Sequence, residues 1–272
     1  MTLHPTQRLI QLKRYPLKSS AGWSVQSAEV SRRGLVDDRR WMVVDTNHHF
    51  MTAREHGSLL TIRAEAGADG ALTLSADGYT ECAVGPPDLR AAQCYVQVWS
   101  DRCLARDMGD QAAQWISAVV GQSCRLVYMP DETERAVSGQ CARAGDVVSF
   151  ADGYPLLLTL QESLDAINKD LEVPVEMGCF RPNVVVAGFE PFSERGWSGV
   201  RIGAVEFTVA GPCVRCQMTT RDLITGRRRT DGQPLKALAK IQRTDQGVVF
   251  GINLIPRSSG VLHCGDLVEP SV

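Results

Sequence analysis

Hydrophobic and polar positions alternate in short runs along this chain, and only a few runs carry a helical period. Trp41–Asp45 (WMVVD) and Phe50–Ala53 (FMTA) flank a polar TNHH, the pattern of a hairpin. Leu72–Ser75 (LTLS) runs into the turn ADG, and Val96–Trp99 makes a further short strand. Ala112, Trp115, Ile116 and Val119 then share one helical face. Asp110 stands at the N-cap position of that helix and Gly121 where a C-terminal glycine belongs. Leu126–Met129 returns to strand, and the polar, aperiodic Asp131–Gly145 reads as a surface loop near which the chain changes domain.

The second half repeats the style. Val147–Phe150 and Leu156–Leu158 read as strands around the turn ADGYP. Thr159 and Glu162 have capping-box spacing before a helix carrying Leu164, Ile167 and Leu171. Asn183–Ala187 (NVVVA) is a buried strand by pattern, and Val205, Phe207 and Val209 alternate with Glu206 and Thr208 as a half-buried one. Pro234–Ile241 is a short helix with proline in its first turn. Many short strands, few helices and frequent glycine turns predict β-barrel architecture with peripheral helices.

Composition narrows the classes. The chain has 272 residues, enough for one large or two modest domains, and an ordinary globular balance of 44% hydrophobic and 22% charged positions. A net charge of −2 gives no global basic field for nucleic acid or an anionic membrane. No run approaches the roughly 18 apolar residues of a membrane span, and the N-terminal stretch has no apolar signal core. Nine scattered cysteines fit reduced thiols better than a disulfide framework.

The most informative segment for chemistry is Gly211–Thr220, GPCVRCQMTT, directly after the alternating strand. Its C-x-x-C admits a zinc site with His263 and Cys264, a thioredoxin-like pair, or a single thiolate ligand to a soft metal with Arg215 favouring the thiolate; two ordinary buried cysteines fit as well. Phe180–Asn183 (FRPN) sets a guanidinium beside an amide, a pairing suited to an anionic, heteroatom-rich ligand or to a structural ion pair. Arg181 precedes Pro182, so its backbone is expected to be extended. Tyr15–Ser19 (YPLKS), Asp37–Trp41 (DDRRW) and Thr52–Glu55 (TARE) add Lys18, Arg39 or Arg40, and Arg54 near strand ends. Thr159, Gln161 and Ser163 open the second helix, where N–H groups and hydroxyls either hold an anion or simply cap. No G-x-S-x-G, P-loop or G-x-G-x-x-G occurs, and the five histidines lack ligand spacing.

Taken in order, YPLKS, DDRRW, TARE, SFADGYP, FRPN, GPCVRC with TT, FGINLI and SGVLHCGDLVE resemble the MOSC-domain proteins, in particular the YcbX type related to the mitochondrial amidoxime-reducing component. The resemblance runs from about Leu9 to Glu269. It implies an α+β, mainly β fold: an N-terminal MOSC-associated β-barrel unit over 5–125, then a MOSC β-barrel domain over 126–270 with peripheral helices. It implies a molybdenum–molybdopterin cofactor with Cys216 as metal ligand and catalytic residue. Lys18, Ser19, Arg39, Arg181, Asn183 and Arg215 are then expected to hold the pterin and its phosphate, with Ser163 a weaker member. Arg39 is preferred to Arg40 because it lies two residues before Trp41. The implied activity is reduction of N-hydroxylated compounds in the bacterial cytoplasm, by a monomer fed by a separate reductase or ferredoxin-like protein. A non-enzymatic cofactor or sulfur carrier is the alternative. Two departures stand out: Val214 where relatives often carry serine, and TLQES in place of a serine-richer helix start. YcbX-type chains often add a C-terminal ferredoxin-like domain with clustered cysteines, and no such cluster occurs here.

Overall fold

A computed structural model describes residues 6–67, 69–88, 90 and 93–272. His4 and the expected boundary at residue 5 lie outside them. The largest sheet has nine strands. Its path runs Val268–Ser271, Gly199–Ile202, Val205–Val214, Gly247–Pro256, Leu156–Leu160, Val184–Ala187, Arg8–Arg14 and Trp23–Val25, with Arg243–Thr244 branching from Gly247–Pro256. The pairs are antiparallel except Leu156–Leu160 with Val184–Ala187, which helix α2 (Gln161–Asn168) helps connect. Parallel neighbours need such a crossover. Gln7 and Leu9 also exchange backbone hydrogen bonds with residues 265–268, so the sheet curls back toward its far edge. Inside the curl Leu12, Leu158, Val186, Phe207 and Leu254 form one apolar core.

A second unit joins Trp41–Val44, Arg125–Tyr128, Asp101–Asp107 and Gln93–Val98 in an antiparallel sheet. Helix α1 (Asp110–Val120) turns Ala112, Ile116 and Val119 onto the core beneath it, beside the three-stranded sheet of Arg63–Ala66, Leu72–Ser75 and Cys82–Val84. The expected division at 125/126 falls inside Arg125–Tyr128, which pairs with two strands of the N-terminal unit. Arg8–Arg14, by contrast, is a full member of the C-terminal sheet.

Several local expectations change. Gly109, not Asp110, is the N-cap of α1; Asp110 lies in the first turn and pairs with Arg125. The capping box does not form. Thr159 is fully buried with its hydroxyl on the Met177 sulfur, Glu162 accepts from Gly188 N–H, and Leu171 lies beyond the helix end. Phe50–Ala53 contributes only an isolated bridge, Phe50 to Val44. Val147–Phe150 contributes only an isolated bridge, Val147 to Ala136, and the Phe150 N–H goes to Arg39 O rather than to a ladder. The 131–145 segment is no mere surface loop: Arg135 is buried and binds Asp101 and the carbonyls of Ser149, Ala151 and Asp152.

A buried carboxyl sits behind α2. Glu194 is 1% exposed, and burial pushes it up to about 7 against the pull of its own backbone hydrogen bond and Arg195. One oxygen each of Glu194 and Glu162 has no partner. The folded form therefore holds a proton that the unfolded form releases near the ordinary glutamate value. This contribution is most favourable below that value and is lost as pH rises through 7. Glu194→Gln is expected to stabilise the fold by up to roughly 3 kcal/mol at pH 8 and hardly at all at pH 4. Urea denaturation at the two pH values checks this; an equal difference at both would refute the buried-proton account.

Candidate functional site

The strands of the large sheet and the loops of the N-terminal unit enclose a cleft of about 740 Å³, within the range of small-molecule and cofactor sites. Cys216 reaches it because Val205–Val214 ends there. Register shifts at Val209/Gly211 and Pro212/Val214 bend that strand, and a short 3-10 turn, Gln217–Thr220, follows. Bulges commonly aim side chains beside sites in this way. Gly251 in the neighbouring strand lies at φ 73° with Leu158 O so near that a Cβ would sit 2.5 Å from it, so only glycine fits.

Seven of the residues expected from sequence line this cleft: Lys18, Ser19, Arg39, Arg181, Asn183, Arg215 and Cys216. Arg39 does so and Arg40 does not; Arg40 is spent on Met129 O and Asp131. Ser163 is the exception. It is fully buried away from the cleft and accepts a hydrogen bond from Phe192 N–H. The start of α2 is therefore structural, and the anion site considered there does not form.

Two clusters organise the lining. In the first, Lys18 is buried and donates from Nζ to Phe150 O and Asp152 Oδ1, both at 2.6 Å. Arg54 donates to Asp152 Oδ2 at 3.0 Å and from Nε to Cys216 Sγ at 3.2 Å, with its guanidinium over the Trp99 ring. Surrounding protein opposes ionisation of Asp152, but the Lys18 and Arg54 charges outweigh it and hold the carboxyl well below the usual carboxylate range. Burial lowers Lys18, and Asp152 opposes that shift.

In the second cluster the guanidiniums of Arg39 and Arg181 lie 4.2 and 4.3 Å from the centre of the Tyr15 ring. Burial pushes the Tyr15 phenol up to about 12, so it stays protonated and donates to Pro182 O. Burial brings Arg181 down to about 10, which leaves it charged at neutral pH. Arg39 pairs with buried Asp38 and donates to Asn183 Oδ1 at 3.0 Å. The Asn183 amide also donates to Lys13 O, so it holds Arg39 in place. Ser19, Arg39 and Arg181 all have positive φ, a concentration of strain of the kind found at ligand sites. Arg181 is thus not extended as its proline neighbour predicts. It caps the 3-10 turn Met177–Phe180 in the left-handed region, which turns its side chain onto Tyr15 and Ser20 O.

Arg215 does not serve Cys216. It donates to Cys213 Sγ at 2.8 Å and to Phe180 O at 2.7 Å, while its buried Nε has no partner. The guanidinium on Cys216 comes instead from Arg54, 162 positions away. Asp152, Trp99 and Tyr15 carry no signal of a site in the sequence: Asp152 stands in the turn ADGYP, Trp99 at the end of a short strand and Tyr15 at the head of YPLKS. No group of three His, Cys, Asp or Glu side chains among the described residues can hold a metal ion, which removes the four-ligand zinc reading of Cys213, Cys216, His263 and Cys264 there.

Two family models match the sequence, the MOSC N-terminal beta barrel domain over residues 6–123 and the MOSC domain over 145–269. Mitochondrial amidoxime-reducing component 1 of Mus musculus is 34% identical over 275 residues, 95% of this chain and 80% of that protein. This chain belongs to the MOSC-domain family. The human protein of the same name is 32% identical over 278 residues, 95% of this chain and 81% of its own length. A molybdenum cofactor sulfurase of Oryza sativa subsp. japonica is 28% identical over 88% of this chain but only 31% of its own length. No helix among the described residues is long and apolar enough to cross a membrane.

Proposed function

We propose that this chain is a molybdenum-cofactor-dependent reductase of N-hydroxylated compounds such as amidoximes and hydroxylamines, with Cys216 as the protein ligand to the metal. The observation that carries it is the half-buried Cys216 thiol, met by the Arg54 Nε–H, in a cleft lined by five cations and a single carboxylate. A bare metal ion would find too few ligands here, whereas a metal that brings its own chelating pterin and phosphate needs only a thiolate and cations. The unspent Nε of Arg215 is one donor available to such a group.

In this reading Cys216 would be the metal's protein ligand, and Lys18, Ser19, Arg39, Arg181 and Arg215 would hold the pterin and phosphate. When bound, the molybdenum centre supplies the two-electron chemistry that splits the N–O bond. Overall, R–NHOH with two electrons and two protons gives R–NH₂ and water. Arg54 orients the Cys216 sulfur, and Asp152 fixes Arg54. Asp152 is ionised at neutral pH, so it accepts hydrogen bonds and is not the acid. The buried Lys18 ammonium keeps it so. Protons reach the cleft from solvent, to which Asp152, Cys141 and Val214 are open. Electrons come from a separate donor protein.

Elemental analysis with pterin fluorescence, on protein from cells that make the cofactor, tests this alongside benzamidoxime reduction by reduced methyl viologen. Near-stoichiometric molybdenum with turnover supports the reductase. Arg181→Ala is expected to lower cofactor occupancy several-fold while the rate per bound molybdenum stays within about twofold. The match to sulfurases favours a second reading, a non-enzymatic carrier. It would bind the cofactor reversibly and show no turnover with any electron donor.

A further inference from the structure

Basic charge is concentrated just beyond the cleft. Seven of the chain's 29 Lys and Arg fall within residues 221–243, with only two of its 31 carboxylates. The turn at 221–229 carries Arg227 and Arg228, both exposed, its one carboxylate, Asp222, accepts from Thr225, and Ile224 is 80% exposed. Helix α3 (Leu235–Ile241) adds exposed Lys236 and Lys240 one turn apart. None of these four cations lines the cleft, so their charge is not committed to what the cleft holds.

The turn is also fastened to Cys216. Arg228 donates to the side chain of Gln217, the next residue after Cys216, and Arg229 N–H bonds Thr220 O. Arg221 donates to Gly226 O and to Arg54 O, both at 2.7 Å, and Arg54 meets the Cys216 sulfur. Gly226 and Gly57 pack backbone to backbone, so close that a Cβ on Gly57 would lie 2.2 Å from Gly226 O. A partner seated on this turn therefore rests on a preorganised platform beside the sulfur end of the cleft, with the exposed Ile224 and the exposed Arg227 and Arg228 on one turn.

We propose that the 221–229 turn, flanked by the α3 lysines, is the docking surface for an acidic electron-carrier protein that feeds the cleft. This rests on the reductase reading. Charge complementarity selects an acidic partner and speeds its encounter, and the exposed isoleucine supplies the central apolar contact. The chain's overall negative charge makes the localised basic patch selective for orientation as well.

The test uses the cofactor-loaded full chain with two acidic carriers of different redox group, a plant-type ferredoxin and a flavodoxin, each kept reduced, and methyl viologen as the donor that needs no docking. Carrier-driven kcat/KM should fall about tenfold between 20 and 300 mM salt. Arg227→Glu with Lys240→Glu should lower it at least about tenfold at low salt, and Ile224→Ala about threefold, with viologen-driven turnover no slower than in the wild type. Carrier-driven turnover insensitive to salt and to these variants, or absent with both carriers while viologen works, overturns the docking surface and leaves the reductase standing. Loss of viologen-driven turnover in the charge-reversed protein also overturns it, since the patch then serves the cleft itself. Retention of the patch's binding only by vesicles containing phosphatidylglycerol, abolished in the same variant, would assign it to a membrane surface instead. Absence of viologen-driven turnover in the wild type refutes the reductase reading itself, and the docking proposal falls with it.

Discussion

Cys216→Ala is expected to cut turnover of an N-hydroxylated substrate by more than about 100-fold, the upper end of what loss of a mere outer-sphere partner costs. Its fold should be nearly unaffected. Cys216 is half-buried and belongs to none of the apolar cores, and substitutions away from packed or paired features usually stay within about 0.5 kcal/mol. Molybdenum should be bound weakly or not at all. Cys213→Ser tests the specificity of the claim, because Cys213 meets Arg215 rather than Arg54 and should lose at most severalfold activity. Thermal unfolding, metal content and benzamidoxime reduction on the two variants decide it. Equal damage from both would return the two thiols to a single functional pair.

Asp152→Asn is expected to damage stability and activity together. It strips the counter-charge from Lys18, which is 4% exposed and keeps a hydrogen bond to Phe150 O and the face of the Phe50 ring. Removing one partner of a buried pair costs about 3–5 kcal/mol. The Asp152 side chain is itself 58% exposed, so solvent screening reduces the expectation to about 1–2 kcal/mol. The carboxyl is held below its ordinary value, so its contribution is complete above that value and is lost only as pH falls through the depressed one. The stability gap between wild type and variant should therefore be flat from pH 5 to 8 and close in strong acid. Arg54 loses its 3.0 Å anchor, and activity per bound molybdenum should drop at least about tenfold. Denaturation across that pH range, with activity normalised to metal, measures both. A variant as stable and as active per molybdenum as the parent would show that Asp152 does not hold Arg54.

Elements with an unbroken period were legible in the sequence. The alternation at 205–209, the apolar run at 184–187 and the helix from 110 to Gly121 all form close to where their patterns place them. What failed were readings of local pattern where a distant partner decides the outcome. Val147–Phe150 has strand composition, yet its N–H groups go to arginine backbones more than 100 and about a dozen positions away. Thr159 and Glu162 have the spacing of a capping box, but buried neighbours take both side chains. The cleft shows the same division. Its cations could be picked out because they stand in short motifs, whereas the pairing of Lys18 with Asp152, or of Arg54 with Cys216, spans 134 and 162 positions. Adjacent residues mislead for the same reason: Arg215 touches Cys216 in sequence and serves Cys213 in space.

The strand Arg8–Arg14 has a consequence for how the protein is made. It is synthesised long before Val184–Ala187, one of its two pairing strands, and before its closing segment at 265–268, both of which come from far down the chain. At 5–20 residues per second the wait for Val184 is on the order of ten to thirty-five seconds. Through that interval Arg8–Arg14 can pair only with Trp23–Val25, one edge stays open, and Leu9 and Leu12, both fully buried in the finished fold, lack the core they enter; an open apolar edge is a template for association with other nascent chains. Lys18 and Ser19 hang from the same segment, so the cleft is assembled only when the last strands arrive. Any cofactor that the cleft takes up would thus enter after the 265–268 segment is made, and a polypeptide released before it would present neither a closed sheet nor a finished cleft.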